Sequence, residues 1–206
     1  NHALLLNLWR RMVDELADKT PKLVITGKRG GEAHTPLAIL DRARELAPYV
    51  YEAGAVPDDA LHLLRRDATA VLMPSFVEGF GLPVTEALAA DTPEIASDIP
   101  VFREIAGDAC ELIDPLDGPR WRRAVLDYAK TNSARRAAAV DRAAGFEAPT
   151  WAAHFAKARR FLDDVAAEAP ATLVQQTRRA FSTAAFFSRR SAAPIAIDRS
   201  TDGSPV

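Results

Sequence analysis

Five short apolar runs alternate with segments of helical spacing, and this alternation constrains the fold more than any other feature of the chain. The runs are KLVITG (22–27), YVYEAG (49–54), ATAVLMPS (68–75), PEIASD (93–98) and ACELIDP (109–115), and each reads as a strand. Between them, PLAILDRAREL (36–46), PDDALHLLRR (57–66), LPVTEALAA (82–90) and PVFREIAG (100–107) read as helices. Pro36 sits in a first turn, where proline is tolerated. Asp58 and Asp59 open another helix, where the dipole favours acids. Leu5, Leu8, Trp9, Met12 and Val13 mark a helix before the first run. Three more helices follow the last run, near 117–130, 132–145 and 149–167. In the third, Trp151, Phe155, Ala158, Leu162 and Val165 line one face. Strand then helix, repeated, predicts an α/β fold: a Rossmann-like parallel sheet, buried on both faces by helices.

Composition narrows the functional classes. The 206 residues carry 26 basic and 28 acidic side chains, a net charge of −2, so no global electrostatic footprint for nucleic acid exists. The lone Cys110 forms no internal disulfide and points to a reducing, cytoplasmic compartment. Four histidines without ligand spacing give no zinc signature, and no metal or other cofactor is expected. No run approaches the roughly 18 apolar residues of a membrane span. The chain opens inside a helical pattern without an initiator Met, which reads as a fragment. Residues 168–206 change composition, and two readings stand. One is a disordered tail. The other is a basic, aromatic stretch from Arg178 to Arg190 that touches a partner or the inner face of a membrane peripherally.

The densest chemical signal is PSFVEGFGLP (74–83), followed by Glu86. The strand ending at Met73 delivers the chain to the carboxyl edge of the sheet, where α/β proteins bind ligands. Gly79 and Gly81 let backbone approach a ligand closely. Their N–H groups, with those of Phe80 and Leu82, precede a helix and suit an anion. A carboxylate at Glu86, one turn into that helix, suits a ribose diol. Glu78 lies at the start of the loop, where a sugar attached to the phosphates would sit.

This stretch resembles the E-x7-E motif of the retaining GT-B glycosyltransferases of family four, with Glu78 and Glu86 as its acids. LVITGKRG, YEAGAVPDDALHLLRRDATAVLMPS, TPEIASDIPVFREIAGDACELIDPLD and WAAHFAKARRFL are similar to further segments of the family's donor-binding half. The resemblance spans 1–167, which reads as one donor-binding domain. It implies a nucleotide-diphosphate-sugar donor, with GDP-mannose slightly favoured, and a glycan or lipid-linked acceptor. It assigns the ribose to Glu86, the transferred hexose to Glu78, and sugar and phosphate contacts to the backbone of Gly79, Phe80, Gly81 and Leu82. It also implies six strands in the order 3-2-1-4-5-6, of which the first, central strand is not among the runs above. An acceptor-binding N-terminal domain is expected as a partner, and the chain alone is expected to be inactive. Glu94 departs from the family pattern, which favours an aliphatic residue there, and is placed at a strand edge.

Other positions keep two readings. Lys28 and Arg29 form either a solvated turn or a contact to the nucleotide. Val50 is either a buried strand residue or a backbone contact to the base. Cys110, Trp9, Trp121 and Trp151 read as packing residues. The alternative function is a non-catalytic nucleotide-sugar-binding or interaction remnant of a disrupted transferase. A Rossmann dehydrogenase is disfavoured because no G-x-G-x-x-G follows a strand.

Overall fold

The computed structural model describes residues 1–30 and 34–168. The 168–206 tail therefore lies outside the described residues, except that Glu168 closes the last helix. The chain divides into two compact units, Asn1–Ala148 and Pro149–Val206.

The first unit begins with α1 (His2–Leu16) and continues as β1 (Leu23–Thr26), α2 (His34–Arg42), β2 (Val50–Gly54), α3 (Asp58–Asp67), β3 (Val71–Met73) and α4 (Leu82–Leu88). It ends with β4 (Glu94–Ser97), α5 (Pro100–Ala106), β5 (Glu111–Ile113), α6 (Gly118–Tyr128) and α7 (Ala134–Ala144). The five strands form two sheets, of order β1-β2 and β3-β4-β5, and every ladder in them is parallel. Among the described residues, no ladder joins β1 to β3. Each expected strand is present but shorter at its ends. The run 68–75 yields three strand residues and 109–115 likewise three. The 36–46 helix breaks at Ala43 (φ −88°, ψ 81°) and resumes as a single 3-10 turn, Arg44–Leu46.

Successive residues of β4 serve opposite faces, as a strand's period of two requires. Ile95 joins a core of Leu5, Leu6, Trp9 and Met12 from α1, Leu23, Val50, Ile113, and Trp121 and Tyr128 from α6. Ala96 joins a second core of Val84, Leu88, Phe102, Ala106 and Cys110. Helices thus cover both faces at β4, where all four residues are buried. Burial on both faces does not extend to the β1-β2 pair, where Val24 and Tyr51 are about half exposed. The buried tryptophans satisfy their single donors. The Trp9 indole N–H donates to the Pro21 carbonyl at 2.8 Å, and that of Trp121 to the Asp114 carbonyl at 3.0 Å. Each large apolar side chain so buried contributes about 1.5–3 kcal/mol.

Short polar residues start the later helices. The Asp117 carboxylate accepts from the Arg120 amide at the head of α6, and the Ser133 hydroxyl accepts from the Arg136 amide at the head of α7. Each such cap is worth about 1 kcal/mol. The second unit contributes α8 (Trp151–Glu168). Its expected apolar face is present, but Trp151, Phe155, Leu162 and Val165 are exposed, so Trp151 is not a core residue as Trp9 and Trp121 are. Trp151 stacks on Phe155 with ring centroids 5.8 Å apart.

Candidate functional site

β3 runs out at Met73, and residues 74–81 carry the chain to the head of α4. The Ser75 hydroxyl donates to Glu78 Oε1 at 2.8 Å, which ties the loop across its own turn. Gly81 closes the loop in the left-handed region (φ 80°, ψ 47°), a conformation that glycine adopts without strain. A β-carbon at Gly81 would lie 2.5 Å from Phe102 Cε1, so the turn is pressed against the core beneath α5. Gly79, by contrast, has open space around it.

α4 is short, seven residues, with Pro83 in its first turn. Val84, Thr85, Ala87 and Leu88 are buried, whereas the Glu86 side chain stays 45% exposed. Phe80 and Leu82 are exposed beside it, and so are Phe76 and Val77 earlier in the loop. Glu78 and Glu86 thus flank a glycine turn with an apolar rim. The head of α1 reaches the same edge. Asn1 Nδ2 donates to the Pro115 carbonyl at 3.2 Å.

The remaining expected site residues lie on β2 and in the turn after β1. Arg29 is held by two carboxylates: its guanidinium donates to both oxygens of Asp41, at 2.8 and 2.9 Å, and to Glu52 at 2.5 and 2.6 Å. Both acids are pulled below the usual carboxylate range by hydrogen bonds from Arg29. Lys28 is exposed, and Val50 is buried in register with Leu23.

Arg65, which sequence reasoning did not select, stands next to Glu86, and Glu94 feels its charge. Arg65, at the end of α3, pairs with Glu86 Oε2 at 2.6 Å and is itself largely buried. Glu94, expected at a strand edge, is instead 1% exposed at the start of β4, with β3 and β5 on either side of that strand. Neither of its carboxylate oxygens has a hydrogen-bond partner. Burial raises its pKa well above the ordinary carboxylate value, and Arg65 opposes that shift. The basic last turn of α3 was the only sequence signal for Arg65. The apolar context of Glu94 was a signal, but it gave no partner.

The family described as Glycosyl transferases group 1 matches residues 1–140. The chain belongs to that family. Among relatives of this group 1 chain, the O-antigen chain mannosyltransferase B of Escherichia coli is 35% identical over 95 residues, covering 46% of this chain and 25% of that protein. The O-antigen chain mannosyltransferase RfbU of Salmonella typhimurium is 43% identical over 81 residues, covering 39% and 23%. A D-inositol 3-phosphate glycosyltransferase of Corynebacterium diphtheriae is 30% identical over 171 residues, covering 79% and 39%. The chain spans well under half the length of each. The crystal structure of TarM superposes with a TM-score of 0.59 at 19% identity, covering 78% of this chain and 31% of that one. The α/β architecture with parallel strands is therefore shared with a GT-B glycosyltransferase.

Proposed function

We propose that this chain is the donor-binding part of a retaining, family-four group 1 transferase that moves a hexosyl group from a nucleotide-diphosphate sugar to a glycan or lipid-linked acceptor. The observation that carries this reading is the placement of Glu78 and Glu86 on either side of the Gly79–Leu82 turn, at the carboxyl end of β3. Glu86 accepts from the ribose diol. Glu78 lies by the transferred hexose, with its orientation set by Ser75. The backbone of Gly79, Phe80, Gly81 and Leu82 meets sugar and phosphate. The mannosyltransferases among the relatives support GDP-mannose as donor. A TarM mutant from S. aureus was solved with UDP, which supports a nucleotide-diphosphate donor more generally. Val50 offers backbone groups to the base, and Lys28 lies at the same turn as Arg29. For Arg29 to meet a phosphate it exchanges two carboxylates for one anion. The donor-binding domain is taken as 1–167, working with an acceptor-binding partner domain at the cytoplasmic face of a membrane. Among the described residues no helix is long and apolar enough to cross one.

The leaving diphosphate requires fixed positive potential rather than an acid/base carboxylate pair. The test is calorimetry with GDP and UDP beside sugar-transfer rates in the intact protein. Glu86→Ala weakens nucleotide binding about ten- to a hundred-fold, since hydrogen bonds to a charged group are worth about 1.5–3 kcal/mol. Glu78→Ala spares binding of the bare nucleotide and lowers transfer. Loss of nucleotide binding in Glu78→Ala with none in Glu86→Ala would reverse the two roles.

A further inference from the structure

One arginine anchors the exposed carboxylate that follows the glycine turn. Arg65 extends from the last turn of α3, where its own carbonyl accepts from the Thr92 hydroxyl at 3.0 Å, and this fixes the helix end just before β4. On the site side, its guanidinium pairs with the exposed Glu86 at 2.6 Å. A guanidinium cannot be discharged in this setting, so it holds its partner as a fixed cation.

We propose that Arg65 is the positioning residue for Glu86, so that the ribose-binding carboxylate meets its ligand already oriented. This inference rests on the donor-site reading above. The pair uses Glu86 Oε2, and an anchored carboxylate meets a diol without first losing its rotamer freedom.

The test is calorimetry of GDP binding to the intact protein, with UDP in parallel and the thermal midpoint of each variant recorded. Arg65→Met weakens nucleotide binding about tenfold, and Arg65→Lys, which keeps the charge without the planar fork, recovers part of the loss. In a Glu86→Gln background Arg65→Met has no further effect, because no carboxylate remains to be oriented. A full Arg65→Met loss that persists in the Glu86→Gln background overturns the inference. If Arg65→Met unfolds, the cycle of Arg65→Lys with Glu86→Gln carries the same comparison. If neither nucleotide binds, or if Glu86→Gln binds as tightly as wild type, the donor-site reading falls and takes this inference with it.

Discussion

Gly81 turns with φ 80° directly against the Phe102 ring, and a β-carbon there would come within 2.5 Å of Cε1. The backbone conformation and the contact both select glycine. Gly81→Ala is therefore expected to cost about 1–2 kcal/mol for the left-handed conformation and about 1–3 kcal/mol more for overpacking. Gly79→Ala meets open space and leaves the thermal midpoint near wild type. Denaturant unfolding of the two variants side by side checks this. If Gly79→Ala still weakens nucleotide binding, the cause is the approach of the ligand rather than the fold.

Glu94 makes stability fall with pH. Its folded pKa is raised by burial, so the folded chain keeps a proton that the unfolded chain releases. The full stability is present below the unfolded value and is lost as pH rises toward the folded value, at about 1.4 kcal/mol per pH unit inside that window. Glu94→Leu removes two partnerless buried oxygens and this titration together. It is expected to raise the thermal midpoint strongly at pH 8 and only weakly at pH 4, as scanning calorimetry at the two pH values would show.

Glu111 anchors three elements. Its carboxylate accepts from the Tyr128 hydroxyl at 3.0 Å on α6 and from the Arg135 guanidinium at the start of α7. Glu111→Ala strips both donors of their partner in a half-buried setting and is expected to cost about 2–4 kcal/mol, since bonds to charged groups are the stronger kind. The Glu111→Ala, Arg135→Ala and double variants form a cycle whose coupling energy, read from urea unfolding, measures the pair.

Cys110 is buried, and burial followed by the neighbouring Glu94 charge pushes its thiol up. The thiolate is the reactive form. Native protein is expected to resist iodoacetamide at pH 8 and to label in step with global unfolding. Rapid labelling of the folded chain would contradict the packing around β4 and β5.

The strand and helix order was legible in the sequence because each run obeys one period. Ile95 and Ala96 alternate between cores, and the acids of α3 open its first turn. The glycine turn with its two acids was legible for the same reason, being local. Strand ends were not, since residues such as Ala68 and Pro74 carry apolar character without ladder partners. Nor was the relation of Arg65 to Glu86 and Glu94. It joins α3, α4 and β4, and no local period encodes a contact between elements. Glu94 misled because a charged side chain is seldom buried unpaired, and the ordinary rule placed it at an edge.

The separation of the described strands into two ladders has a consequence for how the 206-residue chain breathes. The β1-β2 pair adheres to the rest of its unit through side chains, chiefly those of α1, and not through any inter-strand amide bond among the described residues. Opening it breaks no ladder in β3-β4-β5. Amide protons of β1 and β2 are thus set to exchange through a cheaper, partial opening than those of β4, whose protons leave only when the whole unit melts. The turn carrying Lys28 and Arg29 belongs to the looser part and the glycine turn to the firmer one, so a nucleotide spanning both would be recorded as slowed exchange in β1 and β2.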